Sequence, residues 1–327
     1  MSNTICRICG NKNNNQTYQV KEMMFGFGDK FTYFECSMCG CLQISEIPAN
    51  ILMYYPSNYY SFSEISSTFS VGSIKSHITQ LLKQKRTNYA IMKRGIIGKL
   101  VYNLFPDEIA KSLSKVNLTE DSRILDVGCG SGSLLYHLKE IGFKNLLGLD
   151  KFIKKDILYA NGLRIQKGSL QDINGQWNLI MFNHSLEHMQ DQQGIMQAVS
   201  RLLNRDGVCI INTPTVSSYA WKNYKIHWVQ LDAPRHYFLH SVRSLRLLAE
   251  KASLELIGIS YNSTAFQFWG SEQYIRNIPL RSAKSYSEKP LASVFSMFQL
   301  KRFKQRSKEL NSINQGDQAA FYIMKKK

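Results

Sequence analysis

From residue 121 onward the chain alternates short apolar runs with longer amphipathic ones. Residues 122–127 form a compact apolar run that ends at Gly128 and predict a strand. Residues 133–141 carry apolar positions at helical spacing. Further runs at 145–150, 163–168, 177–183, 208–213 and 254–261 predict five more strands. Helices are expected over 194–203, closed by Asp206-Gly207, and over 242–252. Strand–helix–strand alternation predicts a mostly parallel sheet with helices on both faces, because parallel neighbours need a crossover long enough to hold a helix.

The first 120 residues have another texture. Between residues 18 and 34, aromatic and polar positions alternate around Gly26 and Gly28, the pattern of a β-hairpin. Residues 47–70, rich in Tyr, Ser, Pro and Asn, read as an irregular connector. Ile74, Ile78, Leu81, Tyr89, Met92, Ile96 and Leu100 then recur at steps near three, four and seven, with Lys and Arg on the other faces. This predicts basic amphipathic helices, either packed on the main domain or facing a membrane or RNA. Three stretches are expected: a small module over 1–46, a connector with basic helices over 47–118, and an α/β domain over 119–327.

Length and composition narrow the class. With 327 residues, 44% of them apolar and 20% charged, the chain can bury a full core; disorder and collagen-like structure are excluded. No apolar run reaches about 18 residues, so no membrane-spanning helix is expected. The segment Met1-Ser2-Asn3-Thr4-Ile5-Cys6-Arg7 lacks the basic-then-apolar order of a secretory signal, so the expected location is the cytoplasm. Basic residues outnumber acidic ones 41 to 24, which suits an anionic partner: nucleic acid, an anionic membrane face or a phosphorylated substrate.

Four of the seven cysteines are ordered as Cys6-Arg7-Ile8-Cys9-Gly10 and Cys36-Ser37-Met38-Cys39-Gly40, with 26 residues between the two pairs. Each C-x-x-C turn aims two thiolates at one point, and two such turns supply a tetrahedral zinc. Cys6, Cys9, Cys36 and Cys39 are therefore expected to hold a structural zinc in a small ribbon, since four thiolates leave no open position for catalysis. Cys41 is a possible alternative ligand, separated from the second pair by Gly40.

Between the first predicted strand and its helix stands Leu125-Asp126-Val127-Gly128-Cys129-Gly130-Ser131-Gly132, and the next strand ends in Gly148-Leu149-Asp150. Glycines there let the backbone approach a ligand, and a carboxylate at that strand end can accept both hydroxyls of a ribose. The spacing differs from G-x-G-x-x-G and lacks the Lys-Ser/Thr ending of a P-loop. These residues, with Asn183-His184-Ser185-Leu186-Glu187-His188 and Asp206–Pro214, resemble class I S-adenosylmethionine-dependent methyltransferases over residues 119–264. Residues 317–325 look like that family's last, antiparallel strand, which makes 265–316 an insertion.

The resemblance implies a Rossmann-like fold: a mostly parallel seven-stranded sheet with helices on both faces, beside the small zinc ribbon. It implies S-adenosylmethionine as cofactor, held by Asp126, Gly128, Gly130, Gly132, Asp150, Ser169, Leu170 and Asn183. The sequence departs from the family pattern where the fourth strand opens, at Trp177-Asn178 in place of Asp, and after the third, where Ser169-Leu170 follow Gly168. A hydroxyl acceptor gains from a general base, and His184 and His188 stand just after the fourth strand, on the sheet edge where ligands bind.

Trp228, Arg235, His236 and Tyr237 occupy a segment that usually covers the acceptor, where aromatics can stack on a sugar and Arg can fork to an anion. The run Trp228…Asp232-Ala233-Pro234-Arg235-His236-Tyr237 looks like a bacterial subgroup associated with surface-polysaccharide assembly, which also tends to carry a four-cysteine module. That implies a sugar or glycan acceptor, either lipid-linked or a nucleotide-sugar. A lipid-linked acceptor would bring contact with the anionic inner face of the membrane. Ribosomal RNA methylation is the competing reading, and a cofactor-binding module without catalysis is the third. The absence of an Asn/Asp-Pro-Pro-Tyr/Phe run after the fourth strand argues against amino-methylation of bases.

Overall fold

The computed structural model describes residues 4–56, 74–105 and 108–327. Residues 57–70 of the expected connector lie outside the described residues. The chain divides into two compact units that interleave along the sequence. The first comprises Met1–Tyr55, Leu186–Met196 and Asn212–Phe321; the second comprises Pro56–Ser185, Gln197–Ile211 and Tyr322–Lys327.

In the first unit, β1 (Gln16–Lys21) and β2 (Lys30–Glu35) form the expected antiparallel hairpin, with Gln16 opposite Glu35 and Lys21 opposite Lys30. β3 (Leu42–Ile44) adds antiparallel to β2. Tyr33 and Phe34, on opposite faces of β2, and Leu42 and Ile44 of β3 are all at or below 1% exposure, so both faces of this small sheet are covered there.

The second unit opens with α1 (Ile74–Met92) and α2 (Ile96–Leu104), broken by Lys93 and Gly95 at φ +58° and +92°. The basic amphipathic helices expected there are thus two, α1 and α2. Ile96, Ile97, Leu100 and Leu104 of α2 are all more than half exposed. After α3 (Glu108–Leu113) come β4 (Arg123–Val127), α4 (Ser133–Glu140), β5 (Asn145–Asp150), β6 (Ile157–Leu158), β7 (Arg164–Lys167) and β8 (Trp177–Asn183). α5 (Gln192–Leu202) leads into β9 (Leu203–Pro214).

The pairs β4–β5, β4–β8 and β5–β7 are parallel. Ile124, Leu125, Leu179 and Ile180 are fully buried, as strands covered on both faces require. Asp206-Gly207 does not close a helix as expected but lies inside β9. A Cβ on Gly207 would come 2.7 Å from the Trp177 carbonyl, so glycine here permits close backbone approach rather than a stop.

The remaining elements are α6 (Tyr219–Tyr224), β10 (Phe238–Leu239), α7 (Val242–Glu250), β11 (Leu254–Tyr261), α8 (Phe266–Ile275), α9 (Met297–Ser312) and β12 (Gln318–Lys325). β10 pairs antiparallel with β3, extending the N-terminal sheet to four strands within the first unit. The first 46 residues therefore share a unit with residues 212–321, which a division into consecutive stretches does not anticipate. The main sheet runs β11-β12-β9-β8-β4-β5-β7-β6: eight strands, not seven, because the two-residue β6 folds back antiparallel on β7. Among the described residues no helix is long and apolar enough to cross a membrane.

Candidate active site

The turn after β4 holds Gly128, Gly130 and Gly132 at φ +74°, +56° and +81°. Non-glycine residues reach this region only with strain. At Gly132 space is also closed: a Cβ would lie 2.2 Å from Ile165 Cδ1. Asp150, at the end of β5, accepts the Gly130 N–H on Oδ2 at 2.8 Å and the Phe152 N–H on Oδ1 at 2.7 Å. A carboxylate has about four acceptor positions, so two remain for vicinal hydroxyls. That donor and acceptor set fits the ribose of a nucleoside cofactor, and the side-chain-free turn fits its close approach.

Asp126 is buried and accepts from Asn183 Nδ2 at 3.3 Å. Burial, together with the charge of Asp150, pushes its carboxyl up to about 7, against the hydrogen bond from Asn183. Ser169 is bound to Asp172 through both its N–H and its hydroxyl, and the Leu170 side chain is core, so the polar group this pair still offers a cofactor is backbone. After β8, His184 is exposed and sits at φ +51°. The hydroxyl of the next residue, Ser185, anchors that turn by donating to the Val127 carbonyl at 2.6 Å.

His188 belongs to the first unit, as do the other residues expected to meet the acceptor. His236 and His188 come together edge to face, with ring centroids 4.7 Å apart. Arg235 is fully buried. Its guanidinium donates from Nε and Nη2 to Asp232, from Nη2 to Glu22 at 2.9 Å and from Nη1 to the Tyr54 carbonyl, while Phe25 covers its face at 5.3 Å. The fork expected for a substrate anion is committed to protein carboxylates. Trp228 is equally buried, and its indole N–H goes to Asp317 at 2.9 Å, so it does not present a stacking face. Tyr237 is 5% exposed, and its backbone N–H donates to the Glu187 carbonyl.

Glu22 was not legible as a functional position. Its carboxylate receives the N–H groups of Met24, Phe25, Gly26 and Phe27 besides Arg235. A lone acid preceding the apolar run Met23-Met24-Phe25-Gly26-Phe27 was the available signal.

Cys6, Cys9, Cys36 and Cys39 converge. The Sγ atoms of Cys6 and Cys39, and of Cys9 and Cys36, are 3.5 Å apart. The edge of a tetrahedron with 2.3 Å metal–sulfur bonds is about 3.8 Å, so the cluster fits zinc. Gly10 and Gly40 close the two knuckles in the same way, each N–H donating to the carbonyl of the first cysteine at 2.8 Å. The Cys6 thiol is pushed down to about 4 by its hydrogen bond with Cys39, whose own thiol moves up. Gln43 Nε2 also donates to Cys6 Sγ at 2.9 Å. Cys41 stands apart, buried, 3.9 Å from His240 Nδ1.

Comparison with known proteins agrees with the α/β portion. Residues 100–258 match a family described as "Methyltransferase domain". A ubiquinone biosynthesis O-methyltransferase of Psychrobacter cryohalolentis is 26% identical over 171 residues, 45% of this chain and 65% of that protein. A tRNA U34 carboxymethyltransferase of Aliarcobacter butzleri is 24% identical over 178 residues, 49% of this chain and 58% of that protein. The chain thus spans just under two thirds, 65%, of the first relative's length. The crystal structure of a SAM-dependent methyltransferase from Archaeoglobus fulgidus is 17% identical, with TM-score 0.40, covering 78% of this chain and 100% of that one. Residues 100–258 thus match a methyltransferase domain, and their parallel strands and the glycine turn closed by Asp150 belong to a Rossmann-like methyltransferase fold.

Proposed function

We propose that the protein methylates a hydroxyl of a sugar or glycan acceptor, with S-adenosylmethionine as donor. The observation that carries the donor assignment is Asp150 at the end of β5, held by two backbone N–H groups beside three glycines at positive φ. Gly128, Gly130, Gly132 and Asp150 would hold the cofactor, with Asp126 and Asn183 behind them. When bound, it supplies a methyl group on a cationic sulfur, open to in-line displacement by oxygen. His184, exposed on the turn after β8, is the base that takes the hydroxyl proton. Oxygen as the accepting atom is supported by relatives whose names specify O-methyltransferases. The sugar class rests on the resemblance of the Asp232–Tyr237 run and of the four-cysteine module to the surface-polysaccharide subgroup, not on contacts of the buried Arg235 and Trp228.

A lipid-linked acceptor is favoured by one surface of the first unit. Leu291, Met297 and Phe298 are 103%, 80% and 70% exposed, and Lys301, Arg302 and Lys304 follow on α9. Apolar side chains beside cations suit the headgroup layer of an anionic membrane, at about 1 kcal/mol per basic residue near it. A 510 Å³ pocket lined by Trp269, Tyr286, Met297, Phe298, Lys301 and Lys304 lies on the same surface. On this reading the protein works at the anionic face of a membrane.

Two measurements test the reading. Calorimetry with S-adenosylhomocysteine should give binding; none at about millimolar concentration, weaker than about −4 kcal/mol, overturns the cofactor assignment. Transfer of labelled methyl groups to nucleotide-sugars, lipid-linked glycans, a quinone precursor and structured RNA then decides the acceptor. RNA methylation with salt-sensitive RNA binding and no sedimentation with anionic liposomes would replace the sugar reading.

A further inference from the structure

Besides its four cysteines, the first unit gathers a second set of metal-ligating side chains. One ligand atom each from Glu187, His188 and His236 lies within 4.8 Å of the others. His188 Nδ1 is 2.8 Å from the Arg235 carbonyl, and His236 Nδ1 is 2.7 Å from the Gln230 carbonyl. A carbonyl only accepts, so both Nδ1 atoms carry the hydrogen. The Tyr55 hydroxyl oxygen, 3.3 Å away, shares the His188 N–H. Each neutral ring is left with its lone pair on Nε2, the arrangement by which a backbone carbonyl orients a metal-binding histidine.

His236 Nε2 is 4.0 Å from Glu187 Oε1 and 4.0 Å from Asp232 Oδ2, lone pair facing carboxylates. The neighbouring guanidinium of Arg235 pairs with Glu22 and Asp232.

We propose that Glu187, His188 and His236 bind a divalent first-row transition metal, separate from the four-cysteine site. Two imidazoles and a carboxylate are the ligand set of zinc, iron(II), manganese(II) and cobalt(II) sites that retain open positions. With bonds of about 2.1 Å, ligand atoms sit about 3.4 Å apart in tetrahedral geometry, so the 4.0 Å contact closes by about half an ångström. The open positions take water.

The test is cobalt(II) titration of the full chain stripped of metal, without cofactor, so that both sites start empty and the result is independent of methyl transfer. Expected are two equivalents: one with intense sulfur-to-metal charge-transfer bands, the other with only weak visible bands. Saturation at one equivalent, repeated with zinc, manganese and iron(II) by elemental analysis, overturns the proposal whatever any variant does. His188→Ala combined with His236→Ala, and His236→Gln alone, should lose the weakly absorbing equivalent and keep the charge-transfer bands. Retention of two equivalents in either variant overturns it. S-adenosylhomocysteine binding in the same preparations reports on the methyltransferase reading separately.

Discussion

Replacing Arg235 by Ala should unfold the first unit more readily than any surface change. The side chain is fully buried and joins segments far apart in sequence: it bonds Asp232 through Nε and Nη2, Glu22 from 213 residues away, and the Tyr54 carbonyl. Alanine leaves two carboxylates without their cation. Glu22 keeps its four backbone N–H donors, but Asp232 loses its charge partner inside the protein. Breaking a buried pair from one side costs about 3–5 kcal/mol, whereas a whole protein is stable by about 5–15 kcal/mol. For a domain above about 150 residues this lowers the melting temperature by roughly 6–20 °C. Thermal and urea unfolding of wild type and variant measure it, with zinc present in both. The double variant Arg235→Met with Asp232→Asn should lose less than the sum of the two single changes, because cation and anion leave together. A loss under about 1 kcal/mol in Arg235→Ala would refute the idea that this guanidinium neutralises buried charge.

Further expectations follow from the same structure. Gly132→Ala, at φ +81° with Ile165 Cδ1 2.2 Å from the new Cβ, should cost at least about 1–2 kcal/mol and weaken S-adenosylhomocysteine binding; unchanged melting and calorimetry would contradict both. Gly130→Val should abolish that binding, since a branched side chain would enter the cofactor's space, and wild-type affinity by calorimetry rejects this. His184→Ala should lower turnover about 100-fold without changing cofactor affinity, and near-wild-type turnover removes it as the base. Purified protein should contain one tightly bound zinc at Cys6, Cys9, Cys36 and Cys39; less than about 0.5 per chain by elemental analysis counts against it. Burial holds His240 down to about 4 from an ordinary 6.5, so the unfolded chain binds the extra proton first; stability is full above about 6.5 and falls as pH drops toward 4. His240→Gln should flatten that part of the melting-versus-pH curve, and an identical slope in both proteins would rule His240 out.

The strands of the α/β portion were legible because each is a local apolar run: 145–150 and 177–183 coincide with β5 and β8. The cofactor turn and both cysteine knuckles were legible for a similar reason, since their chemistry is carried by residues within a few positions of one another. Less legible were elements whose marks are ambiguous. Asp206-Gly207 carries the signature of a helix stop, yet Gly207 is needed for backbone contact at Trp177. Ile96 and Leu100 follow helical periodicity, yet both are exposed on α2, because periodicity states which residues share a face and not what covers it.

By itself, then, the sequence determined the local units: parallel strands, a glycine turn ending opposite Asp150, and two thiolate pairs. Tertiary structure alone decided what Arg235 and Trp228 do. Both residue types suit a sugar site, but Glu22, Asp232 and Asp317 reach them first and bury them. It also decided that His188 meets His236, 48 positions further along the chain, and that β10 completes the N-terminal sheet. The physical reason is that steric limits and side-chain spacing act over a few residues, whereas a buried charge takes whichever opposite charge the chain's path brings within about 3 Å; Asp232 is three residues from Arg235, but nothing near Arg235 in sequence names Glu22.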